Sequence, residues 1–136
     1  MALGDLLWEE KGKTIGMRVL SCDAAGTKVE VTLQTEGQIQ GVPENSLWTY
    51  WSLTRPDGSI YGEGTGVMTT KNGDAIQMTG SGSALSPAPG GTIRYRGAVH
   101  FHTASAKFSR LNGIAGVFEY DVDAAGNTVA KVWEWK

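Results

Sequence analysis

Between Arg94 and Thr103 the chain places two arginines and two histidines in a segment that reads as a strand. Successive strand side chains point to opposite faces. Arg94, Arg96, His100 and His102 therefore share one face, and Tyr95, Val99, Phe101 and Thr103 share the other. Two histidines at i and i+2 can hold one metal ion. A cupin-type site also needs a nearby glutamate and a further histidine. Here Thr103-Ala104-Ser105-Ala106-Lys107 follows, and the chain has 2 histidines in all. A two-histidine, one-carboxylate site would have to recruit Glu119 or Glu63. The favoured reading is a pair of exposed or hydrogen-bonded histidines, with no metal and no cofactor.

The next candidates are carboxylates. Glu63 stands alone in Gly62-Glu63-Gly64-Thr65-Gly66, and Glu119 alternates with Phe118 and Tyr120. Trp133-Glu134-Trp135 repeats that alternation. Its plain reading is an aromatic core face and an acidic surface face. The functional reading is a cavity wall that mixes aromatic rings with a carboxylate, which Arg96 or Arg18 could pair. A partly desolvated glutamate there could serve as general acid or base. Glu63, Glu119 and His102 are the catalytic candidates on this reading. Trp48-Thr49-Tyr50-Trp51 carries aromatics on both faces, so at least one should lie outside the packed core. Trp51, opposite Trp48 and Tyr50, is expected to line a lumen. The expected ligand-binding set is Trp51, Tyr50, Glu63, Arg96, His100, His102, Glu119 and Trp133.

Two other chemistries have no support. The glycine run around Glu63 leads into no helix and has no Lys-Ser/Thr partner, so it is not a phosphate loop. Ser81 and Ser83 lack the Gly-x-Ser-x-Gly elbow of a hydrolase.

The elements that must position these residues are strands. Turn clusters recur along the chain: Asp23-Ala24-Ala25-Gly26, Pro43-Glu44-Asn45, Pro56-Asp57-Gly58, Lys71-Asn72-Gly73-Asp74, Ser86 to Gly91, and Asp123 to Asn127. Gly and Asn supply positive φ and Pro pre-sets the first turn residue. The intervening strands read as Leu6 to Glu10, Thr14 to Cys22, Lys28 to Gly41 with a bend at Gly37, Leu47 to Thr54, Ile60 to Thr70, Ala75 to Ala84, Thr92 to Thr103, Gly116 to Val122 and Thr128 to Lys136. Asp23-Ala24-Ala25-Gly26 and Asp123-Ala124-Ala125-Gly126 both read as a type I turn with a glycine bulge. Ala104 to Gly113 resists strand assignment. Phe108 and Leu111 lie three apart, Ser105 could cap, and Asn112-Gly113 would end a short helical or 3₁₀ connector over one barrel end. The expected fold is all-β: a single antiparallel up-and-down barrel of about eight to nine strands spanning residues 1–136.

Composition agrees with one domain. The 136 residues include 40% hydrophobic side chains, 19 glycines, one cysteine and a net charge of −2. No basic block tracks phosphates, so nucleic acid is an unexpected partner. The single Cys22 allows no intramolecular disulfide and fits a reducing compartment, so a cytoplasmic location is expected. No leader is visible and no run reaches the roughly 20 apolar residues of a spanning helix, so no membrane partner is expected.

Arg18-Val19-Leu20, Val29-Glu30-Val31, Thr49-Tyr50-Trp51-Ser52, Arg55-Pro56-Asp57-Gly58, Tyr61-Gly62-Glu63-Gly64, Arg96-Gly97-Ala98, Thr103-Ala104-Ser105, Leu111-Asn112-Gly113 and Trp133-Glu134-Trp135-Lys136 together resemble a group of small uncharacterised bacterial proteins. That group is similar to the allene oxide cyclase-like, calycin-type barrels. The resemblance implies a barrel and a homo-oligomer, and it brings no established activity or catalytic residues. Three functions follow for testing. The first is a carrier of a small, mostly apolar or amphipathic ligand in the lumen. The second is a cofactor-free cyclase or isomerase using a lumen carboxylate or histidine. The third is a packed barrel that works through its outer surface. A buried carboxylate beside an aromatic-lined void would favour the second.

Overall fold

The computed structural model describes residues 3–136; Met1 and Ala2 lie outside them. Eight strands run in chain order: β1 (Leu3–Asp23), β2 (Gly26–Ile39), β3 (Val42–Thr54), β4 (Ile60–Thr70), β5 (Ala75–Ala84), β6 (Ile93–Thr103), β7 (Ala115–Val122) and β8 (Asn127–Trp135). Each pairs antiparallel with the next, and β8 returns to β1, so the sheet closes as an up-and-down barrel without crossovers. Closure removes the free edges that a flat sheet of this size would expose.

Two expected strands are one. The Lys11-Gly12-Lys13 segment continues β1 instead of turning, and register shifts near Ile15 and Leu20 bend it. A bulge bends a strand without ending it. β1 pairs with β8 only from Leu3 to Lys13, whereas its pairing with β2 runs on to Asp23. The far half of β1 therefore rises beyond β8, and Ile15, Met17 and Val19 on it are exposed.

The echoed turns differ. At Asp123 the backbone bonds Gly126 N–H to Asp123 O and Asp123 N–H to Asn127 O surround a Gly126 of φ +86, the expected bulged turn. At Asp23 the partner of Asp23 is Gly26 itself, so only Ala24 and Ala25 form the loop. Gly73 has φ +87 in the β4–β5 turn, as the Asn72-Gly73 pair predicts.

Residues Ala106–Gly113 form the 3₁₀ connector between β6 and β7. Phe108 and Leu111 are fully buried and join Leu7, Trp8, Ile39, Met68 and Ile76 in the core that plugs this end of the barrel. Ser105 does not cap through its side chain; its hydroxyl donates to Asp74 Oδ1 at 2.6 Å and ties the connector to the β4–β5 turn. At the other end a smaller cluster of Ile60, Ala84 and Tyr95 packs with Tyr50, Phe118 and Tyr120. Between the clusters the lumen is incompletely filled.

Candidate functional site

The inward face of β3 carries Glu44, Ser46, Trp48 and Tyr50, in strict alternation. On β4 and β5 five inward positions at mid-barrel are glycines: Gly62, Gly64, Gly66, Gly80 and Gly82. The rings from β3 occupy the room those glycines leave. The Trp48 ring lies 2.5 Å from where a Cβ at Gly66 would stand. Any larger residue there would drive the ring out of its place. What the rings do not fill is a cavity of about 90 Å³. Trp8, Trp48, Tyr50, Tyr95, Phe118 and Tyr120 wall it against the glycines of β4 and β5.

The rings are locked together. Trp8 and Trp48 stack with centroids 6.1 Å apart, and Phe101 meets Trp8 edge-on. Tyr50, Tyr95 and Tyr120 form a triad with centroids 5.6 to 6.0 Å apart. The Tyr50 and Tyr120 hydroxyls are 3.1 Å from each other. Burial pushes all three phenols above their ordinary range, so they stay neutral and can donate.

Register brings a buried carboxyl pair to the same lumen. Glu10 of β1 stands beside Gly37 of β2, which stands beside Glu44 of β3. With no side chain at Gly37, the two carboxyls meet across it. A Cβ at Gly37 would overlap the Glu9 carbonyl oxygen, so the strands also need glycine there. Glu10 accepts from Thr35 Oγ1 at 2.7 Å. Glu44 accepts from Trp8 Nε1 at 3.0 Å and from Ser46 Oγ at 2.6 Å. Burial pushes the Glu10 carboxyl up to about 8, helped by the charge and hydrogen bond of Glu44. At neutral pH Glu10 therefore holds its proton, and it lines the mostly apolar cavity. On its other side Glu10 is flanked by Ala130 of β8, and Ala130 by Tyr120 of β7. One row around the barrel thus reads Glu44, Gly37, Glu10, Ala130, Tyr120, Tyr95.

Of the residues expected from sequence to bind a ligand, Tyr50 faces the lumen. Trp51, Arg96, His100, His102, Glu119 and Trp133 alternate with inward positions and lie on the outer wall. The expectation that Trp51 lines the lumen is corrected: Trp48 and Tyr50 are the inward pair. Trp51 instead sits under Lys28 Nζ, 4.2 Å from its ring centre, and against Tyr61. Glu63 accepts from the Tyr61 hydroxyl at 2.6 Å, and Arg96 pairs with Asp121 at 3.0 Å. Trp51, Glu63 and His100 do share a feature, an outer concavity of about 460 Å³ over Thr65, Thr79 and Ala98. Glu63 and Ser81 touch both this concavity and the lumen cavity, across the thin glycine wall. Among the described residues no three of His, Cys, Asp and Glu converge as a metal site. On β8 the aromatic-core reading is reversed. Glu134 is buried and accepts from Arg110 at 2.6 Å, while Trp135 is 59% exposed.

Sequence reasoning missed Glu10 and Glu44. A signal was present: each is in phase with an inward tryptophan, Glu10 with Trp8 and Glu44 with Trp48.

No family model matches the chain, and no characterised protein matches it significantly. Solved structures do match over nearly the whole length. A protein with unknown function from Clostridium acetobutylicum aligns with a TM-score of 0.87 at 14% identity, covering 100% of this chain and 99% of its own. A beta-barrel like protein from Acinetobacter baumannii aligns at 0.84 and 14% identity, covering 98% and 95%. An enzyme from Penicillium herquei aligns at 0.70 and 18% identity, covering 98% and 96%. At these identities the likeness shows a shared barrel fold, carried by proteins that include uncharacterised ones.

Proposed function

We propose that this barrel binds a small, mostly apolar molecule in its lumen. The cavity between the stacked tryptophans and the tyrosine triad carries the reading, because an aromatic-walled void with few polar groups is how proteins hold apolar ligands. The glycines of β4 and β5 make room for the Trp48, Tyr50 and Phe118 rings, and beside Gly80 they leave space that no side chain fills. Toluene is a suitable probe. In an NMR titration, the indole signals of Trp8 and Trp48 are expected to shift saturably while that of Trp51 stays still. Gly80→Leu, which fills the cavity from its glycine wall, should abolish the shift. Shifts at Trp51 alone, or none, would reject a lumen site. Native mass spectrometry would add the mass of any retained ligand. It would also count subunits, where the exposed apolar residues of β1 make a homo-oligomer the expected result.

A second reading is favoured by Glu10. A protonated carboxyl in an apolar cavity is the equipment of a cofactor-free cyclase or isomerase, the allene oxide cyclase type of activity. On that reading Glu10 replaces Glu63, Glu119 and His102 as the acid–base group. Turnover of an epoxide or enone that vanishes in Glu10→Gln and survives in His102→Ala would support it. Equal turnover in both variants would reject Glu10.

A further inference from the structure

Two polar pairs converge on one gap. Ala130 is the small residue between Glu10 and Tyr120 in the inward row, and neighbouring strands lie about 4.8 Å apart. Glu10 and Tyr120 therefore flank the space above a methyl group. The Tyr50–Tyr120 pair has two hydroxyl hydrogens and uses one between them. The other finds no acceptor among the described residues. On the far side, Glu10 and Glu44 are two carboxyls in contact across Gly37, and such pairs hold a proton between them while keeping acceptor capacity. The gap is bordered by a spare donor on one side and a carboxyl acceptor on the other.

We propose that the lumen recognises a phenol or enol hydroxyl placed over Ala130, accepting from the Tyr50–Tyr120 pair and donating to the Glu10–Glu44 pair. This rests on the lumen reading above and narrows it to a ligand class. A hydroxyl on an sp² carbon suits the gap because it donates and accepts in the plane of its ring. A ketone would leave the carboxyl side unmatched, and a hydrocarbon would leave both sides unmatched. The flat ring belongs in the slot between the glycine wall and the aromatic side chains. The empty volume of about 90 Å³ is smaller than the roughly 150 Å³ that admits benzene in an engineered cavity. Entry of a ring therefore moves Tyr50 or Trp48, the two cavity rings of β3 that are only half-buried.

The test compares phenol with toluene, which have nearly the same shape. Titration of the unmodified protein with each, followed by Trp8 and Trp48 signals, should give phenol an affinity about tenfold higher. Tyr120→Phe and Glu10→Leu, which remove the donor and the acceptor, should each bring phenol toward toluene, and Ala130→Met should block both. If toluene binds as well as phenol, the hydroxyl site is wrong and the lumen reading stands. If phenol is preferred but the preference survives both Tyr120→Phe and Glu10→Leu, the hydroxyl is recognised elsewhere and the proposal falls. If neither compound binds, both readings fall. The comparison on the unmodified protein needs no variant to fold.

Discussion

Tyr50 and Trp51 are neighbours in the chain and end in opposite surroundings. Tyr50 enters the lumen and meets two other tyrosines. Trp51 lies on the outer wall between a lysine and Tyr61. The same contrast separates the carboxyls. Glu10 is buried and held protonated, whereas Glu63 sits in solvent with one tyrosine hydroxyl. Residue type is shared between the walls; desolvation is not. Chemistry concentrates where water is excluded, because there an unpaired charge or polar group is costly and must be matched.

The contrast can be broken most forcefully at the tryptophans. Trp8→Ala removes a core ring and the only indole donor to Glu44, so a loss of about 4 kcal/mol is expected in urea denaturation. A loss under about 1 kcal/mol would mean the inner wall is not the packed one.

Next in size is the pH dependence of Glu10. Its folded value near 8 lies above the ordinary 4.5, so folding favours its protonated form. That contribution is complete below about 4.5 and is lost as pH rises through about 8. The groups facing it are Thr35, Glu44, Ser46 and Tyr120. Asp57, Asp74, Asp123 and Glu134 are held below their ordinary range and act in the opposite sense, at lower pH. The difference between the native chain and Glu10→Gln isolates the effect. The native chain should lose a few kcal/mol more than the variant between pH 5 and pH 9. Parallel pH curves would show Glu10 to be ordinary.

A turn provides a reference that belongs to neither wall. Gly73→Val forces a β-branched residue to φ +87 in open space, with about 1 kcal/mol or more lost. An unchanged denaturation midpoint would count against that backbone conformation. The smallest effect is expected outside. Trp51→Ala forfeits the Lys28 contact and exposed packing, less than about 1 kcal/mol, and leaves toluene binding intact. Loss of binding in this variant would move the ligand to the outer concavity.

Much of the fold was legible in the residues. Gly26, Gly58, Gly73 and Gly126 adopt positive φ where the turn clusters placed them. Phe108 and Leu111, spaced by three, mark the connector that plugs the barrel. The break expected between Glu10 and Thr14 is absent, because Gly12 packs against the backbone of Gln34 and Thr35 within the sheet and the strand runs through it. The site was less legible. Alternation sorts each strand into two faces without saying which is inside, and a one-residue choice exchanges every member. The richest strand by type, Arg94 to Thr103, turned its arginines and histidines outward.

The sequence by itself determined an all-β chain of short turns and alternating strands, since turn chemistry and period-two patterning are local properties. Only the tertiary structure decided the inner set. Glu10, Glu44, Ala130 and Tyr120 lie on β1, β3, β8 and β7, from opposite ends of the chain, and ring closure with its register puts them in one row. The raised Glu10 value follows from that closure, because desolvation and a second carboxyl act only once the barrel has formed.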